Sequence, residues 1–283
     1  MNTPWRGLIK GFLLGMFVMF NYAQAEPFSA LNNLTISGCQ DYPYHLQTIE
    51  HQVPGIIKLK KDLSEGLQQG LSCLAGTNPR VGQLHRFHQR QGEKLQALLT
   101  NEQPKSIQCV KDELFAYAMA SSPRQQLASP VLKKRLDNSV DLTILLDTYR
   151  IGGLLSTKFK PATYKNFFKM NQQQIDEHLT GKPLRMKGLH RYKNLPALLF
   201  HETVHWLGHE HSNITPDVTF LYETCCFGGS EYIEDEKLNS KFQTRACNIL
   251  RDDELWSSAD KLKTKLWKKK GYRKLKTEMR KFY

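Results

Sequence analysis

The chain has 283 residues, with 40 Lys and Arg against 27 Asp and Glu, a formal net charge of +13. No apolar run approaches the roughly 20 residues that a membrane-spanning helix needs, and no internal repeat or low-complexity tract is present, which excludes a multi-span membrane protein and a repeat array. The length suffices for one large domain, or for one domain with a smaller helical piece.

The N-terminus carries Arg6 and Lys10, then an apolar run from Gly11 to Phe20, then Asn-Tyr-Ala-Gln-Ala ending at Ala25. This predicts a signal peptide over residues 1–25, and hence a secreted or periplasmic protein. All six cysteines lie beyond it, at Cys39, Cys73, Cys109, Cys225, Cys226 and Cys247. An even number in an oxidising compartment predicts three disulfides. Modest sequence separation favours Cys73 with Cys109 and Cys226 with Cys247. Adjacent Cys225 and Cys226 should bond to different partners, because a bridge between neighbours strains the intervening peptide.

Residues 26–135 read as a mainly helical N-terminal region. Ile56, Leu59, Leu63, Leu67 and Leu71 recur at three- and four-residue spacing up to the Gly-Thr-Asn-Pro turn that ends at Pro79. A second helix is expected over Val81 to Leu99. His85 and His88 sit in it at a spacing compatible with a metal, although isolated histidines of this kind are more often plain surface or core residues.

After Pro130 the texture changes. Val140 to Leu146 is apolar and bounded by acids, as a buried strand would be, Ile151-Gly-Gly marks a turn, and Tyr164 to Met170 reads as a further strand. Asn194 as cap and Pro196 in the first turn open a helix that runs through Ala197 to Phe200. Residues 136–258 therefore form an expected α+β unit. A basic tail follows over 259–283, and its residues 261–283 hold eleven Lys or Arg and one acid, Glu278. Two readings of the tail stay open: contact with an anionic surface, or an amphipathic helix that packs Leu262, Leu266 and Met279 on the body, interrupted at Gly271.

The apolar helix leads directly into His201-Glu202-Thr203-Val204-His205-Trp206-Leu207-Gly208-His209-Glu210-His211. Residues four apart lie one above the other on a helix, so His201 and His205 can offer two imidazole nitrogens to one ion. Glu202 is turned about 100° away, where its carboxylate can act as general base on a water. A catalytic Zn2+ usually has three protein ligands. Gly208 permits a left-handed turn after which His211 can fold back as the third. Asp217 and Glu231 are rivals for that place. His209 is expected at the surface. Tyr222, with Tyr232 behind it, is the candidate donor to a developing oxyanion.

These eleven residues fit the pattern H-E-x-x-H-x-x-G-x-x-H and resemble the metzincin clan of zinc endopeptidases. The resemblance implies a zincin-like catalytic domain with a mixed sheet and an active-site helix, a zinc cofactor, and a protein or cell-wall peptide as substrate. The chain departs from the clan downstream. The methionine-containing turn that metzincins place beneath the zinc has no counterpart, since the only methionine after His211 is Met279; Tyr222-Glu-Thr-Cys-Cys-Phe-Gly stands there instead. Asp217-Val-Thr-Phe220 resembles an aspzincin element lacking its tyrosine hydroxyl, and Glu231-Tyr-Ile-Glu-Asp235 has a gluzincin spacing. The alternative function is a non-catalytic exported binding protein with a vestigial zinc site that works through its basic tail.

Overall fold

The computed structural model describes residues 31–43, 54–111, 113–114, 116–122, 142–153, 161, 165, 171–179, 192–211, 217–230, 233, 235–257 and 272–279. The expected leader, Glu231, Tyr232 and most of the basic tail lie outside these residues. So does the strand expected over Tyr164 to Met170, except for Lys165, which is helical.

In chain order, β1 (Leu34–Ser37) is followed by two helices, α1 (Gly55–Leu74) and α2 (Arg86–Thr100), then by β2 (Lys105–Val110) and the short β3 (Ala118–Ala120). After β4 (Leu142–Asp147) come α3 (Thr148–Ile151), α4 (Gln172–Leu179), α5 (Leu195–His205), α6 (Val218–Cys226), α7 (Glu236–Arg251), α8 (Asp253–Ser257) and α9 (Tyr272–Met279). The fold is α+β. Its four-stranded sheet has the order β1-β2-β4-β3, parallel between β1, β2 and β4 and antiparallel at the β3 edge. Parallel neighbours require a crossover, and α1 with α2 supplies the one between β1 and β2. Every residue of β4 is buried, as its unbroken Leu-Thr-Ile-Leu-Leu run demands of an interior strand.

Among the described residues of 26–135 helix predominates, with 20 residues in α1 and 15 in α2, but β1, β2 and β3 also come from this region, which the helical reading did not include. They also share their core with the rest of the chain. Leu59, Leu63, Leu67 and Leu74 of α1, Ile144 and Leu146 of β4, and Leu199, Phe200 and Val204 of α5 belong to one continuous apolar core.

Helix α1 packs along α5, and two glycines make this possible. A Cβ at Gly66 would meet the Pro196 carbonyl oxygen at 2.3 Å, and one at Gly70 would meet the Phe200 ring at 2.2 Å. Both contacts are far inside ordinary van der Waals separation. The glycines thus let two helix backbones approach where larger side chains would hold α5 off.

Three disulfides close the described chain: Cys39–Cys109, Cys73–Cys226 and Cys225–Cys247. The pairings Cys73–Cys109 and Cys226–Cys247 are corrected. Parallel register sets Ser37 opposite Gln108, which carries Cys39 to Cys109 across a sequence separation of 70. Neighbouring helical residues diverge by about 100°. Cys225 and Cys226 accordingly reach two different helices, α7 and α1, and together brace the end of α6.

No helix among the described residues is long and apolar enough to cross a membrane. The described part of the basic tail follows the packing reading. Tyr272 and Leu275 of α9 are buried, Arg245 pairs with Glu278 at 2.5 Å, and Lys274 remains exposed.

Candidate metal centre

Asn194 caps α5 by accepting the Ala197 N–H at 3.1 Å, and Pro196 occupies the first turn. The helix is buried on every side from Ala197 to His205, the pattern of a helix that runs through a core. It ends where Gly208 takes φ 84°. Nothing lies within 4 Å of a Cβ built there, so the left-handed turn, not lack of space, is what calls for glycine. The chain then reverses. His211 returns to His201 and His205, and one nitrogen from each of the three rings lies within 4.8 Å of the others.

The Nδ1 side of every ring is engaged. His201 Nδ1–H donates to Glu223 Oε2 at 2.6 Å, His205 Nδ1–H to the His209 carbonyl, and His211 Nδ1–H to Asp217 Oδ2 at 2.8 Å. In a neutral ring, a proton held on Nδ1 leaves Nε2 as a lone pair. His201 Nε2 and His211 Nε2 face each other at 3.4 Å; in the metal-free chain a proton of the charged His201 ring can lie between them, and a metal ion can take its place. Zinc bonds to nitrogen of about 2.0–2.1 Å in a tetrahedron would put ligand nitrogens about 3.3–3.4 Å apart, so the donor set fits a metal ion.

The supporting groups account for the electrostatics of the metal-free chain. Burial pulls the His201 imidazolium down, but the hydrogen bond and charge of Glu223 outweigh it and its pKa is pushed up to about 9. Burial, reinforced by His201 and His211, holds His205 well below the ordinary histidine range. Burial raises the Glu202 carboxyl, an effect opposed by His201, by His211 and by the Ala120 N–H that donates to it. Among the described residues Glu202 Oε2 has no hydrogen-bond partner.

That Ala120 N–H comes from the sheet edge. Main-chain bonds at Asp147 to Tyr117 and at Ser121 to Thr143 leave the main-chain groups of Ala118 and Ala120 on the outer side of β3, by the alternation of antiparallel pairs. The buried edge strand β3 therefore turns its Ala120 N–H to Glu202.

His201, Glu202, His205 and His211 are brought together as the motif predicts. Asp217 is not a fourth member. It stands behind His211, caps α6 through the Phe220 N–H, and accepts from Thr219 Oγ1 at 2.8 Å. The hydroxyl of Tyr272 in turn accepts the Asp217 N–H.

Tyr222 is corrected. Its side chain has no exposed surface and its hydroxyl lies 2.7 Å from His88 Nδ1; a phenol so placed cannot reach an incoming carbonyl without unpacking the core. His209 is corrected too. It is half-buried, and its Nε2–H donates to Gln91 Oε1 at 3.0 Å.

No protein-family model, no curated protein and no solved structure matches the chain. The reading of this site rests on its own geometry.

Glu223 is the functional residue that the motif did not disclose. It bridges His201 Nδ1 and the Tyr192 hydroxyl, the latter at 2.6 Å. One signal was available: Glu223 is the sole charge within Val218–Cys226, and an acid buried in an apolar helix needs a partner. Neither histidine of α2 takes part in the cluster. His85 caps α2 through Nδ1, which accepts the Phe87 N–H at 3.1 Å. Its Nε2 lies 3.3 Å from Ser257 Oγ and 3.5 Å from Asp253. With Nδ1 accepting, Nε2 carries the proton of the neutral ring, so it cannot serve Ser257 as a base.

Proposed function

We propose that the chain is an exported zinc-dependent endopeptidase that resembles the metzincins in its ligand motif and hydrolyses peptide bonds in protein or cell-wall peptide. The observation that carries this reading is the pairing of a complete three-histidine donor set with a buried glutamate that belongs to neither the ligands nor their supports. A site that only holds metal has no use for Glu202; hydrolysis does.

His201, His205 and His211 would hold the ion. Zinc, when bound in such a site, polarises a carbonyl and brings the pKa of a water to about 7. Glu223, the His209 carbonyl and Asp217 keep the three rings oriented, with Nδ1 engaged and Nε2 turned toward the ion, as such outer partners do in metal sites generally. Glu202 takes one proton from the attacking water as its oxygen adds to the carbonyl carbon. It passes that proton to the amine nitrogen as the C–N bond breaks. Its burial favours this role by moving its pKa toward the working range. Three disulfides and the leader over 1–25 support export to an oxidising compartment, where the cations of 261–283 would retain the enzyme near an anionic surface.

Glu202→Gln tests the reading. The variant is expected to bind zinc as the wild type does and to lose cleavage of an unstructured protein such as casein, followed by release of new amines. Undiminished cleavage would refute the assigned base.

A further inference from the structure

Two ligands of the metal centre depend on a segment that has no regular structure. His211 supplies one ligand nitrogen, and the His209 carbonyl holds the Nδ1 proton of His205. Both belong to the loop Gly208 to His211, which leaves α5 through a left-handed glycine and has neither a helix nor a sheet ladder to fix it. His211 is itself half exposed, at 51% of its side-chain surface. Something outside the motif has to set the loop.

Besides Asp217, which holds the His211 ring, two side chains grip the loop between Gly208 and His211. His209 Nε2–H donates to Gln91 Oε1 at 3.0 Å, and Ser122 Oγ–H donates to Glu210 Oε1 at 2.9 Å. Gln91 lies on α2 and is 7% exposed; Ser122 follows β3 and is 2% exposed. The anchors are therefore built on packed elements, 118 and 88 residues away in sequence. One grips the residue whose carbonyl serves His205, and the other grips the residue next to His211.

We propose that Gln91 and Ser122 are positioning residues of the metal centre, which fix the Gly208–His211 loop so that His211 and His205 present their Nε2 atoms to one ion. This deepens the metal-site reading given above and rests on it. An acceptor is what position 91 must provide. With an apolar residue there, the largely buried His209 N–H loses its partner, and the loop relieves that cost by swinging toward water and taking His211 with it. A carboxylate in the same place would still accept the N–H. The clamp also gives the N-terminal half of the chain a share in the site, together with the Ala120 N–H on Glu202.

The experiment measures zinc affinity by competition with a chromophoric chelator, and the visible absorption of the Co2+ form, in the mature chain. Gln91→Leu is expected to weaken zinc binding by about 10–100-fold, the usual effect of losing an outer partner, and to shift the Co2+ bands. Gln91→Glu should restore both, and Ser122→Ala should move both in the same direction by less. Leu99→Ala, which hollows the core on the same helix (Leu99 is 4% exposed), should lower the melting temperature and leave zinc affinity unchanged. If Gln91→Leu does not fold, Ser122→Ala carries the same test. Wild-type affinity and Co2+ bands in the Gln91 and Ser122 variants overturn the proposal, as does an equal loss of affinity in Leu99→Ala. A folded wild type that takes up no zinc overturns the proposed function instead.

Discussion

Replacing Gly70 with alanine sets two effects of opposite sign against each other. Alanine is the better helix former by about 1 kcal/mol, and Gly70 lies well inside the 20-residue α1, so propensity alone predicts a gain. The new methyl would arrive 2.2, 2.3 and 2.5 Å from three atoms of the Phe200 ring. Phe200 has no exposed surface, so the ring cannot step aside by more than 1 Å into solvent, and either the ring or α5 has to shift. Overpacking of this kind costs about 1–3 kcal/mol. With a displacement this large we take the upper part of that range, which leaves a net loss of about 1–2 kcal/mol, or about 2–8 °C in melting temperature for a domain of this size. The companion variant Gly92→Ala gains the same propensity but meets Leu74 Cβ at a milder 3.0 Å, so it should be the more stable of the two. Because His201 follows Phe200 directly, Gly70→Ala should also weaken metal binding. Thermal unfolding of both variants by circular dichroism is the assay. A Gly70→Ala protein as stable as Gly92→Ala, or more stable than the wild type, would refute the close approach of α1 and α5.

Glu223→Gln removes the charge that holds the His201 proton on Nδ1 while keeping an acceptor oxygen; zinc affinity should fall by about 10–100-fold, and an unchanged dissociation constant would contradict the support assigned to Glu223. His88 makes a prediction about acid. Burial, reinforced by His85 and His209, holds its pKa well below the ordinary value, so the folded chain keeps it neutral while the unfolded chain takes up a proton as pH falls through about 6.5. Its contribution is therefore complete above that pH and declines below it, by up to about 1.4 kcal/mol per pH unit. Replacing His88 with Asn should flatten the fall in stability between about pH 6.5 and 4.5, measured by urea unfolding, and an identical slope would show that His88 titrates normally.

The parts of the fold that were legible in the sequence have strong local signals. Helix α5 has a cap, a proline and an apolar run; β4 has five apolar or β-branched residues in succession; α1 has its three- and four-residue period. The sheet's other members do not. β1 is Leu-Thr-Ile-Ser, β3 is Ala-Met-Ala, and β2 begins with Lys105, so none is long or apolar enough to show a period of two, and the region looks helical by default. Their strand character comes from pairing partners far along the chain. The site divides in the same way. His201, Glu202, His205 and His211 follow from helical geometry and one glycine, all within eleven residues. Tyr222 fails because its hydroxyl is held by His88, 134 residues away, and His209 because Gln91 reaches it from α2. Asp217 was visible as a possible ligand, yet only the position of His211 Nδ1 turns it into a support. Such long-range partners leave no trace in spacing.

The account stands most directly on the metal content of the purified mature chain, measured by elemental analysis in the wild type and in His211→Ala and Asp217→Ala. A three-histidine site predicts about one zinc ion per wild-type chain, its loss in His211→Ala, and its retention with weaker affinity in Asp217→Ala. A well-folded wild type without zinc, or a His211→Ala protein that keeps its zinc while Asp217→Ala loses it, would contradict the site as described.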